Sequence, residues 1–215
     1  MNNSMNASTM EVLKTGTTTV GIVAKDAVIL GADKRATAGS YIADKNVTKV
    51  MPISDRMLVT ISGVVSDIQL LVKYIKAELK LKDYKTGMQT SVKAAANLLA
   101  SFNYSGLRSQ GSIAHFILAG LDSEGVHMYE VGFDGTVFEV TEYEVSGSGS
   151  PYAMGVLEGY YKAGLSEADA LGLAKKALTA AIERDAGSGN GYDLFVINKS
   201  GVHHKETVHL KSVPQ

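Results

Sequence analysis

The chain has 215 residues, of which 45% are hydrophobic and 20% charged, and its formal net charge is −1. This length suits one domain, or two small ones, with a sizeable core, and the near-neutral charge gives no support for a nucleic-acid or membrane partner. The absence of cysteine excludes disulfides and thiolate metal sites and fits a reducing, cytoplasmic compartment. No apolar run approaches the roughly 18 residues that span a bilayer.

The first segment, Met1–Thr15, is rich in Asn, Ser, Thr and Met and has neither a positive start nor an apolar centre. It therefore lacks the features of a secretory signal and is interpreted as disordered or removable. The segment Gly16–Val23 follows, with three successive threonines. Threonine is common in plain strands, but it becomes a nucleophile when a base such as its own α-amine lies beside it. A cut between Gly16 and Thr17 would make Thr17 nucleophile and base in one residue.

The remaining sequence predicts strands and helices in separate groups. Short apolar or alternating runs bounded by turn residues predict the strands, and apolar residues that recur every three or four positions predict the helices. The predicted strands are Thr19–Ala24, Ala27–Ala32, Lys49–Ile53, Met57–Ser62, Ile113–Leu121, Val126–Val131, Thr136–Val140 and Tyr192–Ile197. The predicted helices are Ser66–Lys82, Thr90–Phe102, Pro151–Tyr161 and Ser166–Arg184.

Short turns connect neighbouring strands and predict hairpins, for example at Lys25-Asp26 and at Lys199-Ser200-Gly201. A capping box from Ser166 to Asp169 marks the start of the longest helix. The elements form runs of strands and pairs of helices rather than alternating βαβ units, which favours antiparallel sheets with helices packed outside. We therefore expect an α+β fold in which two sheets lie between two helix pairs.

Asp33 is the first candidate for chemistry because it ends an otherwise apolar strand. A buried carboxylate without a partner would be costly, so a buried Asp33 requires a cation, which Lys34, Arg35 or Lys49 could supply. The alternative is a solvated aspartate at the end of a strand. Lys49 taken alone is typical of a surface lysine.

Two glycine-rich loops each allow a structural and a functional interpretation. Ser146–Ser150 is either a turn in which Ser150 caps a helix with Pro151 at its first position, or a loop whose N–H groups bind an anion. A dinucleotide site is disfavoured because the third glycine and the βαβ unit are missing. Asp185–Gly191 either ends the preceding helix or brings its aspartate and serine to an active centre.

Three histidines near the end of the chain, His203, His204 and His209, do not indicate a metal site. Adjacent residues on a strand face opposite sides, and no carboxylate is spaced to complete a ligand set. We expect no metal and no cofactor.

Several segments, taken together, resemble the catalytic β-type subunits of the proteasome core particle, most closely the archaeal form. Each segment is short, but they follow the family's order from residue 15 to about residue 200, and that joint order is specific. The matching segments are Thr15–Ile22, Ala32–Gly39, Ile61–Gly63, Lys76–Glu78, Gly147–Pro151, Gly155–Glu158 and Ala180–Gly189. The family belongs to the N-terminal-nucleophile hydrolases, so the resemblance implies a four-layer αββα sandwich.

The resemblance implies a threonine endopeptidase that is made as a precursor. Residues 1–16 would be a propeptide that the chain removes autocatalytically after Gly16, and residues 17–215 would form the peptidase domain. The freed Thr17 would then attack the scissile carbonyl, with its own α-amine acting as general base through water.

Further positions match the family's active-site residues. Lys49 matches the lysine beside the threonine and Asp33 matches its acidic partner, an arrangement in which the cation favours the deprotonated amine and hydroxyl. The backbone N–H of Gly63 matches the oxyanion donor. The residues matched to supporting positions around the threonine are Ser148, Asp185 and Ser188.

The matched specificity pocket is apolar, which implies a preference for hydrophobic residues before the cleaved bond. Its members are Ala36, Val47, Met51, Ile61 and Val65. Thr37 matches the residue that binds the substrate main chain as an added strand. The chain departs from the common pattern at Ser62 and Ser66, which stand for alanine and glycine, and at Lys34, where arginine is frequent. These departures remove no catalytic group but leave the exact cleavage preference open.

The resemblance also implies partners, namely other β subunits in a seven-membered ring, α-subunit rings, a regulatory unfolding ATPase acting through the α rings, and polypeptide substrates. Two alternatives remain. An unprocessed, non-catalytic β-type ring subunit would keep residues 1–16, and the joint presence of Thr17, Asp33 and Lys49 disfavours it. A nucleotide-binding domain built on Ser146–Ser150 would have measurable nucleotide affinity.

Overall fold

The computed structural model describes residues 16–63, 65–110 and 113–210, and gives only the backbone of residues 65–67 and 110. The strands in these ranges are β1 Thr19–Val23, β2 Ala27–Asp33, β3 Ala36–Ala38, β4 Tyr41–Asp44, β5 Val50–Ser54, β6 Met57–Gly63, β7 Ala114–Leu121, β8 Val126–Val131, β9 Val137–Glu139, β10 Tyr143–Ser146, β11 Gly191–Asn198 and β12 Gly201–His209. The helices are α1 Val65–Thr86, α2 Val92–Gln110, α3 Ser150–Tyr160 and α4 Glu167–Arg184.

The first sheet is antiparallel and has the strand order β10-β1-β2-β11-β12. The predicted hairpin between β1 and β2 is present: Val23 pairs with Val28, and the Ala24 N–H donates to the Ala27 carbonyl at 2.8 Å. The central strand β2 is buried along its whole length. Its last residue, Asp33, is therefore carried into the protein interior.

The second sheet is also antiparallel, in the order β5-β6-β7-β8-β9, and it packs face to face with the first. Val28 and Leu30 of β2 point into the layer between the sheets, where Leu58 and Ile117 of the second sheet meet them. Ile29 points to the opposite face and packs in the cluster formed with α3 and α4. This alternation follows from the two-residue period of a strand, and it makes β2 apolar on both faces.

Two helices cover the outer face of each sheet. The apolar face of α4 includes Ala174 and Leu178 and packs with α3 on the first sheet, while the predicted Ile68 face of α1 packs with α2 on the second. The expected α+β fold, a four-layer αββα sandwich, is confirmed. None of the four described helices combines the length and apolar character that a membrane crossing requires.

Three short strands were not predicted from the sequence. β3 and β4 pair with each other outside the two large sheets, and all four residues of β4 are exposed. Three or four residues without a buried face give too little periodicity for prediction. β10 pairs with the start of β1, where Thr19 lies opposite Ser146, and the glycine-rich loop that follows hides its pattern.

The ends of several helices also differ from the sequence expectations. The structural alternative in which Ser150 caps a helix is wrong: α3 begins at Ser150 itself, its N-cap is Gly149, and that cap makes no side-chain hydrogen bond. The Ser150 hydroxyl instead donates to the Gly147 carbonyl at 2.7 Å. Ser166 does cap α4 as predicted, accepting from the Asp169 N–H at 3.1 Å.

Glu144 on β10 is a partly buried carboxyl group with a neighbour of the same charge. Burial, and secondly the charge of Glu130 on β8, raise its pKa from 4.5 to about 7, while the Val145 N–H at 3.1 Å opposes the shift. Glu130 itself contacts His115 on β7 at 2.8 Å. Between these two pKa values the folded chain binds more protons than the unfolded chain, so the free energy of unfolding falls as pH rises.

We expect Glu144→Gln to flatten this part of the pH dependence, because glutamine cannot ionise. Denaturant unfolding between pH 4.5 and 8 should show the variant gaining stability relative to the wild type as pH rises. Glu142→Gln, at an exposed neighbouring position, is the matched control and should keep the wild-type slope. Equal slopes for wild type and Glu144→Gln would contradict the assignment.

Candidate active site

Asp33 and Lys49 form an ion pair in the interior, with 2.7 Å between Asp33 Oδ1 and Lys49 Nζ and side-chain exposures of 0% and 3%. Asp33 ends β2 of the first sheet, and Lys49 directly precedes β5 of the second. Buried charges require a partner and further hydrogen bonds. Of the three cations that the sequence offered to Asp33, Lys49 is the one that pairs with it.

Backbone N–H groups complete the surroundings of the Asp33 carboxylate. Oδ1 also accepts from the Thr18 N–H at 2.9 Å, and Oδ2 accepts from the N–H groups of Arg35 at 3.0 Å and Gly189 at 2.9 Å. Hydrogen bonds to an ionised group are among the stronger ones in proteins. Asp33 therefore joins the loop after α4 to the start of β1.

The other two candidate cations bind elsewhere. Lys34 forms a second buried ion pair, with 2.8 Å between its Nζ and Asp193 Oδ2. The Arg35 guanidinium donates to Asn190 Oδ1 at 2.8 Å and to the Ala186 carbonyl at 2.9 Å. Lys34 thus holds strand β11 against the end of β2, and Arg35 holds the loop that precedes β11.

Lys49 also reaches the peptide group between Gly16 and Thr17, where cleavage is predicted. Its Nζ donates to the Gly16 carbonyl oxygen at 3.3 Å. Burial lowers the pKa of the Lys49 ammonium below its usual value, and the Asp33 carboxylate opposes this effect without cancelling it. An ammonium in this position can stabilise negative charge that develops on the Gly16 oxygen.

Thr17 is 4% exposed and lies beside the same carbonyl. Its hydroxyl donates to the Gly16 oxygen at 2.6 Å, and its backbone N–H donates to Ser148 Oγ at 3.1 Å. The Thr17 carbonyl accepts from the Gly149 N–H at 3.2 Å. Both reactive atoms of Thr17, the hydroxyl oxygen and the nitrogen, are therefore held by defined partners.

Ser148, Asp185 and Ser188 form a second arm of the site. Asp185 Oδ2 accepts from Ser148 Oγ at 2.6 Å and from Ser188 Oγ at 2.6 Å, and Oδ1 accepts from the Gly187 N–H at 3.1 Å. Ser148 links this carboxylate to the Thr17 nitrogen. The Ser146–Ser150 loop thus contacts Thr17 directly, whereas the Asp185–Gly191 loop, which follows the end of α4, reaches it through Ser148.

Gly16 lies in close contact with Gly187 across the site. A side-chain carbon added at Gly16 would come within 2.0 Å of Gly187 Cα, so no larger residue fits without movement of the backbone. The Gly16 N–H donates to the Thr37 hydroxyl at 2.8 Å. Thr37, expected to bind the substrate main chain, thus binds the main chain that precedes Thr17.

Of the remaining predicted residues, Ile61 contacts the backbone of Lys49. The Ile61 N–H donates to the Lys49 carbonyl at 3.0 Å, and Gly63 ends the same strand two residues later with φ +137°. Ala36, Val47 and Met51 are half-buried and Ile61 is buried. The side chain of Val65 lies outside the described residues, as do residues 1–15 of the expected propeptide.

Among the described residues, no group of three or more His, Asp or Glu side chains is arranged to hold a metal ion. Within the same ranges, the ordered polar groups around Thr17 are hydroxyls, one lysine, two carboxylates and backbone amides. Such a set suits acyl transfer by a hydroxyl nucleophile, since it offers a cation and N–H groups to an oxyanion.

Sequence reasoning missed the contacts of two side chains, Thr18 and Arg35, the second of which it considered only as a counter-charge for Asp33. Thr18 is fully buried and its hydroxyl lies 2.6 Å from Ser188 Oγ. Arg35 holds the loop after α4 through Asn190, which has a positive φ of 64°. The run of three threonines was a signal for the first, but a distant partner such as Ser188 cannot be read from local pattern.

Two comparisons with known proteins, one with family models and one with individual proteins, identify the same family. The family model for proteasome subunits matches residues 13–197. The proteasome subunit beta of Haloferax volcanii is 42% identical over 190 residues, which cover 88% of this chain and 76% of that protein. Those of Methanococcus aeolicus and Methanocaldococcus fervens are 44% and 40% identical, covering 87% and 95% of this chain and 86% and 91% of their own lengths.

We expect Asp33→Asn to lower the free energy of unfolding by about 3–5 kcal/mol, because it leaves the buried Lys49 ammonium without a counter-charge. Asp55→Asn, the same change at an exposed turn residue, should stay within about 0.5 kcal/mol of the wild type. Denaturant titration of both variants tests this. An Asp33→Asn chain as stable as the Asp55→Asn control would show that the pair does not hold the site together.

Proposed function

Because this chain belongs to the proteasome subunit family and its relatives are β subunits, we propose that it is a catalytic β subunit of a proteasome core particle. In this proposal it is a threonine endopeptidase that degrades unfolded polypeptides, with Thr17 as nucleophile once residues 1–16 have been removed. The observation that carries the proposal is the convergence of the Thr17 hydroxyl, at 2.6 Å, and the Lys49 ammonium, at 3.3 Å, on one carbonyl oxygen, that of Gly16.

The first proposed step is cleavage of the chain by itself. Thr17 Oγ1 attacks the carbonyl carbon of Gly16, a C–O bond forms, the C–N bond breaks, and the hydroxyl proton passes to the departing nitrogen. Water then hydrolyses the resulting ester, which leaves a Gly16 carboxylate and a Thr17 residue with a free amine and hydroxyl. Lys49, and the N–H of Gly63 as the proposed oxyanion donor, would stabilise the negative oxygen in both steps.

The same groups would serve the hydrolysis of substrates. The freed α-amine of Thr17 would take the hydroxyl proton through water, a general-base role that contributes roughly 10²–10⁴-fold in rate. The nearby Lys49 cation favours the deprotonated forms of both groups. Ser148, which is 3.1 Å from the Thr17 nitrogen and 2.6 Å from Asp185, would hold the amine in place.

Substrate preference and partners are part of the same proposal. The apolar residues Val47 and Met51, two positions before and after Lys49, and Ile61, whose N–H donates to the Lys49 carbonyl, support a pocket for hydrophobic residues before the cleaved bond, with Ala36 and Val65 as its other members. Thr37 would bind the substrate main chain as it binds Gly16. The proposed partners are other β subunits in a seven-membered ring, α-subunit rings and, through them, an unfolding ATPase, in the cytoplasm.

We expect Thr17→Ala to abolish both self-cleavage and peptidase activity, because alanine has no hydroxyl, while assembly is kept. Thr17→Ser is the matched variant, since it keeps the hydroxyl and should still lose residues 1–16. Intact mass of the assembled protein, together with hydrolysis of a fluorogenic peptide with a hydrophobic residue before the cleaved bond, measures both effects.

Two outcomes would contradict the proposal. Peptide hydrolysis by an assembled Thr17→Ala protein would exclude Thr17 as the nucleophile. A wild-type protein that assembles, retains residues 1–16 and hydrolyses no peptide would instead be the non-catalytic ring subunit.

A further inference from the structure

Thr18, the residue after the proposed nucleophile, is fully buried, and its hydroxyl has one partner among the described residues. The distance between Thr18 Oγ1 and Ser188 Oγ is 2.6 Å. A side-chain carbon added at Gly149 would come within 1.9 Å of Thr18 Oγ1, so the hydroxyl occupies a space that glycine leaves open. A threonine that only filled space in the strand would need neither the hydrogen bond to Ser188 nor the glycine opposite its hydroxyl.

The direction of the hydrogen bond between Thr18 and Ser188 follows from counting protons. Each hydroxyl carries one proton, whereas an ionised carboxylate only accepts. Ser188 gives its proton to Asp185 Oδ2 at 2.6 Å, so in the bond to Thr18 it must accept. The Thr18 hydroxyl is therefore the donor.

The same count fixes the other side of Asp185. Ser148 has two possible acceptors for its one proton, Asp185 Oδ2 at 2.6 Å and the Thr17 carbonyl at 3.4 Å. The proton goes to the shorter bond with the carboxylate, so Ser148 presents a lone pair to the Thr17 N–H at 3.1 Å. The result is one continuous chain: Thr18 donates to Ser188, Ser188 and Ser148 donate to Asp185, and the Thr17 nitrogen donates to Ser148. The Thr17 nitrogen is one end of this chain of hydrogen bonds, and the Thr18 hydroxyl is the other.

Thr18 is also fixed by its backbone to the other arm of the site. Its N–H donates to Asp33 Oδ1 at 2.9 Å, and its carbonyl accepts from the Asp33 N–H at 3.0 Å. The backbone of Thr18 thus contacts the Asp33–Lys49 pair, and its side chain contacts the arm formed by Ser148, Asp185 and Ser188. Thr17 is the residue that directly precedes Thr18.

We propose that Thr18 is a positioning residue for the Thr17 amine, acting through its hydroxyl on Ser188, Asp185 and Ser148. The proposal rests on the proposed function. The Thr18 hydroxyl commits the lone pair of Ser188 that faces it and so keeps the Ser188 proton on Asp185, which also binds Ser148. Because Thr18 is fully buried, its side chain is out of reach of a substrate, and its loss should lower kcat and leave KM unchanged.

The test compares Thr18→Ala with Thr18→Ser in the assembled protein. Serine removes only the methyl group, whereas alanine removes the methyl and the hydroxyl, so the difference between them reports the hydroxyl. Valine is unsuitable because its methyl group would stand 2.6 Å from Ser188 Oγ. We expect Thr18→Ser to be close to wild type and Thr18→Ala to have a kcat roughly threefold to tenfold lower, the range for one neutral hydrogen bond.

Thr19 supplies the matched control. Its hydroxyl is equally buried and lies 2.7 Å from Ser146 Oγ, but that pair makes no contact with Asp185. Thr19→Ala should therefore keep the wild-type kcat even if it lowers stability. In a Ser188→Ala background, Thr18→Ala should have no further effect on kcat, because the partner through which it acts is absent.

The outcomes separate this inference from the proposed function. An active wild type in which Thr18→Ala and Thr18→Ser have the same kcat would overturn the role of the hydroxyl. Additive losses in the double variant, or an equal loss in Thr19→Ala, would also overturn it by indicating a general effect on the strand. A wild type that neither processes itself nor cleaves peptides would refute the proposed function, and this inference with it.

Discussion

The buried ion pair between Asp33 and Lys49 is the constraint on which the rest of the site depends. Two charges with almost no exposure are stable only when the remaining donors and acceptors around them are satisfied. Asp33 meets this requirement with N–H groups from Thr18, Arg35 and Gly189. Those three bonds bring together the start of β1, the end of β2 and the loop after α4, so the ion pair and the position of Thr17 are parts of one arrangement.

Close backbone contacts in this arrangement require glycine at several positions. Gly16 lies against Gly187, and Gly149 leaves room for the Thr18 hydroxyl. The loops that carry Ser148, Asp185 and Ser188 can therefore approach the start of β1 closely enough for direct hydrogen bonds. Without these glycines the hydroxyl groups would be present in the sequence but too far from the Thr17 nitrogen to orient it.

Much of the fold was predictable because β2 is a continuous apolar run and because the hydrophobic residues of α1 and α4 recur with a helical period that matches their buried faces. β3 and β4 were not predictable because they are short and lack a buried face, and β10 was not because the glycine-rich loop that follows hides its pattern. In the site, the need of a buried Asp33 for a cation followed from its apolar strand, but local pattern did not distinguish Lys34, Arg35 and Lys49, and only the family resemblance favoured Lys49. That choice depends on the packing of two sheets. The contact between Thr18 and Ser188, which are 170 residues apart, depends on the return of the chain to the first sheet after α4.

In the proposed function, the groups around Gly16 and Thr17 make this peptide bond cleave itself and leave an active threonine. The decisive measurement is N-terminal sequencing of the assembled wild-type protein, with intact mass on the same sample. We expect the first residue to be Thr17 and the mass to correspond to residues 17–215. An assembled protein that still carries residues joined to the amine of Thr17 would contradict it.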